Sequence, residues 1–153
     1  MTVQIGQEAP GFTRKNQHGA DVTLSQFRGS SVVVMFYPFA FSGICTSELG
    51  EVRDQLPRFT AAGSEVLAVS CDPMFSLRAF ADREGLGFSL LSDFWPHGEV
   101  ASAYGVFDAE RGCALRGTFV LDPAGTVRWK VENGLPDARD LQDCLDALGA
   151  ISV

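Results

Sequence analysis

The stretch that decides the fold reads Val32-Val33-Val34-Met35-Phe36-Tyr37-Pro38-Phe39-Ala40-Phe41-Ser42-Gly43-Ile44-Cys45-Thr46-Ser47-Glu48. Its first five residues are apolar with no polar alternation, the pattern of a strand buried on both faces. Pro38 has no N–H for a strand ladder and stops it. Ser42-Gly43 is a small polar turn. Beyond Cys45 the apolar period changes, and Leu49, Val52, Leu56 and Phe59 recur at helical spacing. Cys45 therefore sits where a buried strand hands over to an amphipathic helix, in its first turn or just before it. A helix N-terminus presents unpaired N–H groups and partial positive charge, which favours a thiolate over a thiol. Strand, turn, cysteine and helix is an arrangement that makes a nucleophile.

Working outward toward the N-terminus, turn signals at residues 16–19 lie between Phe12 and residues 22–24, which predicts a hairpin. Toward the C-terminus, Pro57 should kink or end the helix that follows Cys45, and Ala61-Ala62-Gly63 closes that segment. Val66-Leu67-Ala68-Val69 is a second buried strand. Asp72-Pro73 predicts a helix start, with Asp72 as N-cap and Pro73 at the first helical position. Leu77, Phe80 and Ala81 face inward there, and Gly85 or Gly87 ends the helix. Pro96 predicts the start of a short helix that Gly105 ends. Residues 114–121 read as a strand, Asp122-Pro123-Ala124-Gly125 as a turn, and residues 127–131 alternate as a strand with one wet face. These two strands form a hairpin. A last helix is expected from Asp137, burying Leu141, Cys144, Leu145 and Leu148. With a right-handed crossover between the first two strands, the order strand–helix–strand–helix–hairpin–helix gives an α/β fold, a mixed sheet with helices on both faces.

A chain of 153 residues suits one domain with a proper core, spanning 1–153. No repeat, low-complexity tract or linker interrupts it. Hydrophobic residues at 46% and charged residues at 20% are ordinary for a soluble globular protein. The net charge of −7 argues against nucleic acid or an anionic membrane as the main partner. The first eight residues show no basic region followed by an apolar run, and no apolar run approaches the roughly 20 residues of a membrane span; a cytoplasmic location is the expectation. Cys45, Cys71, Cys113 and Cys144 include no close pair, so zinc-ligand spacing and a Cys-x-x-Cys redox motif are both absent. No cofactor and no metal are expected.

Pro38-x-x-x-Ser42-x-x-Cys45 resembles the signature of the peroxiredoxin family, Pro-x-x-x-Thr/Ser-x-x-Cys, and Glu48 suits it. Arg116-Gly117-Thr118-Phe119-Val120-Leu121-Asp122 resembles the segment carrying that family's active-site arginine. The resemblance covers nearly the whole chain from Ala9-Pro10-Gly11-Phe12-Thr13. Through Leu91-Ser92-Asp93-Phe94-Trp95-Pro96-His97-Gly98 and Ala103-Tyr104-Gly105-Val106-Phe107 it is closest to the one-cysteine subgroup called alkyl hydroperoxide reductase E. It implies a thioredoxin-like fold. It also implies a thiol-dependent peroxidase that reduces hydrogen peroxide and organic hydroperoxides through a cysteine sulfenic acid. The partners it implies are a homodimer or higher homo-oligomer and an external thiol reductant of mycothiol/mycoredoxin or thioredoxin type.

Each candidate has an ordinary reading beside the functional one. A free cysteine is most often a buried structural residue, but Cys45 stands on a polar turn at a helix start. Arg116 lies in an otherwise apolar strand and reads from spacing alone as a snorkelling or edge arginine; the resemblance makes it the residue whose fork touches both thiolate and peroxide. Glu48 shares the face of Cys45 at i+3 and reads as a first-turn acid or, with a cation between it and the sulfur, as the residue that positions Arg116. Ser42 is a helix cap and, by resemblance, the hydroxyl that bonds the peroxide and the thiolate. Pro38 ends the strand and, by resemblance, shields the cysteine from water. His18 and His97 lack an orienting partner and read as surface or cap residues, against a cysteine hydrolase. Cys71, Cys113 and Cys144 read as packing residues.

Two other functions compete. A thioredoxin-like disulfide reductase would want a second cysteine at position 48, which is Glu48. A redox-responsive holdase or binding protein would bind without turnover, and peroxide consumption with a thiol present separates it from an enzyme.

Overall fold

The chain runs β1 (Thr13–Lys15), β2 (Asp21–Thr23), β3 (Ser31–Phe36), α1 (Gly43–Ala61), β4 (Ser64–Ser70), α2 (Met74–Glu84), β5 (Ser89–Ser92), α3 (Glu99–Ala103), β6 (Phe107–Asp108), β7 (Cys113–Ala114), β8 (Arg116–Leu121), β9 (Val127–Asn133) and α4 (Leu141–Ile151). The structure is a computed structural model that describes residues 2–135 and 137–151. Five strands form the central sheet in the order β5-β4-β3-β8-β9. β3, β4 and β5 are parallel, while β8 runs antiparallel to both β3 and β9. The sheet is therefore mixed, as the sequence predicts.

Strand parity divides the interior into two layers. Val33 and Met35 face the layer that holds Leu49, Val52 and Phe59 of α1, Leu77 and Phe80 of α2, and Leu141, Cys144 and Leu148 of α4. Val32, Val34 and Phe36 face the other layer, against Val100 and Ala101 of α3, Tyr104, and Val22 of the hairpin. Helices thus cover both faces. All six residues of β3 are buried, which is why its sequence shows no alternation.

Several local expectations shift. Pro57 does not end α1, which continues to Ala61; Phe59, fully buried, anchors the last turn in the core, and burying such a ring contributes about 2–3 kcal/mol. The N-cap of α2 is Pro73 rather than Asp72, because the Asp72 carboxylate is engaged by Ala40 and Ser70 instead. Gly85, at φ +65°, ends α2 in the left-handed conformation expected of it. The short helix begins at Glu99, not Pro96: the buried Asp93 carboxylate accepts from the N–H groups of Val100 and Ala101 at 3.0 and 2.9 Å and fixes the start there. Residues 114–121 are two strands, interrupted at Leu115. β5 was not read from the sequence at all, its four residues being bounded by serines. The last helix starts at Leu141, four residues later than expected, where the Asp140 carboxylate accepts from the Gln142 N–H at 2.9 Å. Leu145 is half-buried rather than buried.

Candidate functional site

The site forms at the C-terminal end of β3, where strand order reverses: β4 lies on one side, parallel, and β8 on the other, antiparallel. Met35 stands opposite Thr118, so the start of β8 extends past the end of β3 and carries Arg116 to the same edge as Tyr37 and Pro38. From that edge residues 37–42 cross to α1. Tyr37 keeps one strand bond, its N–H donating to the Val69 carbonyl at 3.0 Å. Pro38, buried, then ends the ladder as expected. Ser42 occupies the N-cap position with extended φ/ψ, and its carbonyl accepts from the Thr46 N–H at 2.9 Å. Its hydroxyl makes no capping bond to the helix, so the side-chain cap expected of it is not made.

Cys45 is the third residue of α1 and is fully buried. The structure brings Arg116 and Glu48 to it. Arg116 Nη1 donates to Cys45 Sγ at 3.4 Å and makes a close ion pair with Glu48 Oε1. Arg116 Nε donates to the Leu135 carbonyl at 2.7 Å, which fixes the plane of the guanidinium. A carboxylate next to a thiolate would repel it, and here the cation lies between them. Arg116 is 3% exposed, which excludes the snorkelling or edge reading. Above this cluster is an opening of about 440 Å³, lined by Pro38, Phe39, Ser42, Gly43, Ile44, Arg111, Arg116 and Leu135. The sequence-predicted residues Pro38, Ser42 and Arg116 thus share one mouth over Cys45 and Glu48.

Arg139 belongs to the same cluster, and the sequence reading did not find it. It lies in the irregular segment before α4 and is 6% exposed. Its backbone N–H and Nε both donate to Glu48 Oε2, at 2.7 and 2.9 Å. Nη1 donates to Thr118 Oγ1 at 2.8 Å, and Nη2 to the Phe36 carbonyl at 2.5 Å. Burial lowers its proton affinity, and Glu48 pushes back in the opposite direction. The cluster sets two guanidiniums and one carboxylate beside the Cys45 sulfur.

The remaining cysteines are free thiols and buried, as expected. Burial pushes the Cys71 and Cys144 thiols up to about 12, and raises Cys113 as well. His18 and His97 are exposed and do not line the opening; the His97 ring sits 3.1 and 2.7 Å from the carbonyls of Phe94 and Gly112 and bridges two loops. Among the described residues no helix is long and apolar enough to cross a membrane.

The chain is similar to known proteins by family model, by sequence over its length and by fold. The model of the AhpC/TSA family matches residues 5–130. Alkyl hydroperoxide reductase E of Mycobacterium tuberculosis is 43% identical over 151 residues, covering 98% of this chain and 99% of that protein. The reduced 2-Cys peroxiredoxin of Plasmodium vivax superposes with a TM-score of 0.89 at 27% identity, covering 97% of this chain and 82% of that one. Peroxidoxin BcpB of Mycobacterium tuberculosis superposes with a TM-score of 0.87 at 28% identity, covering 97% of both chains. The fold is thioredoxin-like.

Proposed function

The chain belongs to the AhpC/TSA family of peroxiredoxins and is a thiol-dependent peroxidase, and from that premise we propose that Cys45 is its peroxide-reactive thiol and that Arg116, Ser42, Pro38 and Glu48 form the catalytic surroundings. The observation that carries this assignment is Arg116 Nη1, which reaches Cys45 Sγ and the Glu48 carboxylate at once.

A hydroperoxide enters the opening between Pro38 and Arg116. The Cys45 thiolate attacks the distal oxygen in line with the O–O bond. The S–O bond forms as O–O breaks, sulfur is oxidised to the sulfenic acid, and the leaving oxygen takes a proton to become water or an alcohol. Thiolate formation alone does not make this step fast, since a more acidic thiol is also a weaker nucleophile. The larger contribution is stabilisation of charge developing along O–O by fixed donors: the Arg116 guanidinium, the Ser42 hydroxyl and N–H groups at the start of α1. Pro38 keeps water from the sulfur, and Glu48 holds the fork of Arg116 in place.

The sulfenic acid then waits for an external thiol, a one-cysteine mechanism. Burial of Cys71, Cys113 and Cys144 and their raised pKa values support it, because a protonated, enclosed thiol attacks slowly. The reductant is a small thiol of mycothiol type with a mycoredoxin, or a thioredoxin-type protein. Residues 1–153 act as one domain, the two apolar layers sharing one sheet. The protein works in the cytosol, where four reduced cysteines suit a reducing compartment. It works as a homodimer or higher homo-oligomer: Phe75 and Trp95, 71% and 77% exposed, line one open groove with Phe94, a surface that a second copy would cover.

Intact-mass analysis after one equivalent of peroxide tests the assignment. The expected result is a gain of one oxygen, trapped on Cys45 by a sulfenic-acid probe, and its loss together with all peroxide turnover in Cys45→Ser. Turnover surviving in Cys45→Ser would overturn the site. Rapid loss of two hydrogens with a mapped bridge from Cys45 to Cys71, Cys113 or Cys144 would make it a two-cysteine enzyme.

A further inference from the structure

The segment that delivers Ser42 and Cys45 to the site is held from outside by a residue with no part in the chemistry. We propose that Asp72 is a positioning residue for the peroxidase reaction, pinning residues 38–42 so that the Ser42 hydroxyl and Cys45 keep their alignment with Arg116; this rests on the assignment of Cys45 above.

Residues 38–42 leave the sheet at Pro38, which has no N–H to donate. Tyr37 is the last residue to bond β4, and α1 begins at Gly43. Between them Phe41 stands at φ +71°, a conformation that a non-glycine residue keeps only when its surroundings over-determine it. Neighbours hold the segment here, among them Arg83, whose guanidinium lies 5.5 Å over the Phe41 ring. The Phe41 ring packs on Phe80 of α2, with centroids 5.0 Å apart. One residue earlier, the Ala40 N–H donates to Asp72 Oδ2 at 2.8 Å. Asp72 is itself fixed. The fully buried Ser70 hydroxyl donates to the same Oδ2 at 2.7 Å, and the Ser92 hydroxyl donates to the Asp72 carbonyl at 2.6 Å. The bond thus links the exit of β3 to the exits of β4 and β5. Asp72 lies next to Pro73, where a helix N-cap was expected, but its carboxylate is turned to the active-site segment rather than to α2.

The Tyr37 hydroxyl is fully buried and lies near Ser70, the residue that also holds Asp72. Burial raises its pKa, with Asp72 and Cys45 adding to the effect against a lowering contribution from Ser70. The hydroxyl therefore stays neutral. Loss of the Asp72 side chain leaves the Ala40 N–H without this acceptor.

Asp93 supplies the control. It too is a buried carboxylate that fixes a loop through backbone N–H groups, but those belong to α3, in the layer on the other face of the sheet. Two second-order rates at Cys45 are measured in wild type, Asp72→Ala, Asp72→Asn, Ser70→Ala and Asp93→Asn, with Tm recorded for each. One is oxidation by hydrogen peroxide, which needs the aligned donors; the other is alkylation by iodoacetamide, which needs only a reachable thiolate. Asp72→Ala is expected to slow oxidation about tenfold or more, the cost of a misplaced reacting group, while alkylation holds or rises. Asp72→Asn keeps an acceptor oxygen for Ala40 and should recover most of the loss. Asp93→Asn should lower Tm while keeping the ratio of the two rates within about twofold of wild type. If Asp72→Ala does not fold, Ser70→Ala decides, since it removes the hydroxyl that fixes Asp72 Oδ2, and it is expected to shift the ratio in the same direction by a smaller factor. An unchanged ratio in Asp72→Ala, or in Ser70→Ala where Asp72→Ala does not fold, or an equal change in Asp93→Asn, overturns the proposal. Wild type that fails to oxidise at Cys45 would instead sink the peroxidase assignment itself.

Discussion

Arg139 donates twice to one oxygen of Glu48, from Nε at 2.9 Å and from its own backbone N–H at 2.7 Å, although the two residues are 91 positions apart in the chain. Arg116 takes the other oxygen. Glu48 is therefore clamped from both sides, and its remaining freedom is small. A single buried ion pair is weak evidence for stability, because desolvation can exceed the Coulombic gain. Here each side chain is also fixed by backbone carbonyls, Leu135 for Arg116 and Phe36 for Arg139. The arrangement suits a role in aiming Arg116 at Cys45.

Arg139→Ala should be among the more damaging substitutions in the chain. It leaves Glu48 Oε2 without its side-chain donor and removes the donors to Thr118 Oγ1 and the Phe36 carbonyl. Breaking one partner of a buried pair costs about 3–5 kcal/mol. Urea unfolding measures that loss. The peroxide rate of the folded fraction should fall as well, because Glu48 is then free to pull Arg116 off the sulfur. A variant that is destabilised but oxidises at the wild-type rate would make Arg139 structural only.

Glu48→Gln separates positioning from simple electrostatics. It removes a negative charge beside the reactive sulfur, which by charge alone should leave the rate unchanged or raise it. It also leaves two buried guanidiniums facing one another without their carboxylate. If Glu48 works by holding Arg116, stopped-flow oxidation should be slower across the pH range and the protein less stable. A rate that holds or rises would remove Glu48 from the positioning of Arg116; Glu48 is the sixth residue of α1, beyond the first turn where a helix acid was expected.

Arg116→Ala removes the donor at 3.4 Å from Cys45 Sγ. By comparison with the loss of one oxyanion-hole donor, the barrier to peroxide attack should rise by about 2–4 kcal/mol. Arg116→Lys should rescue only part of it, since one ammonium cannot reach the sulfur, Glu48 and the Leu135 carbonyl with a fixed fork. Single-turnover oxidation is the measurement, and equal rates for wild type and Arg116→Ala would remove Arg116 from the mechanism.

The parts of this site that are local in sequence were legible there. Val32 to Glu48 announces a buried strand, a proline stop, a turn and a helix with a cysteine at its start, and the structure has each. Arg116 was legible through resemblance to a known family, since an arginine in an apolar strand points to several roles. Arg139 was not legible. Its partners are far away in the chain, and Asp137-Ala138-Arg139-Asp140 reads as the first turn of a helix. Asp72 was misread for a related reason: Asp-Pro is a good local helix start, but a tertiary acceptor was needed at Ala40, and the carboxylate went there. β5 is too short to carry a period, and the break at Leu115 leaves no mark in an apolar run.

The last expectation concerns alkaline stability and Cys144. This thiol lies on the inner face of α4, 2% exposed, and burial pushes its pKa up to about 12, with Arg139 acting in the opposite direction. In the unfolded chain it titrates near the ordinary value of about 8.5. Between these values the folded state keeps a proton that the unfolded state loses. Stability from this group is therefore complete below about pH 8.5 and declines as pH rises toward 12. Between pH 8 and 10.5 the expected loss is about 2–3 kcal/mol from this one group. Cys144→Ala removes the group from both states. It should lower stability at pH 8 through the small cavity it leaves, yet lose about 2–3 kcal/mol less than wild type on going to pH 10.5. Contributions from Tyr37 and Tyr104, also raised by burial, are common to both proteins and cancel in the difference. Urea denaturation at the two pH values, with a reductant present to prevent oxidation, gives the four free energies needed. Equal losses in the two proteins would mean that Cys144 ionises in the folded state. That would remove the main physical argument against its resolving the Cys45 sulfenic acid.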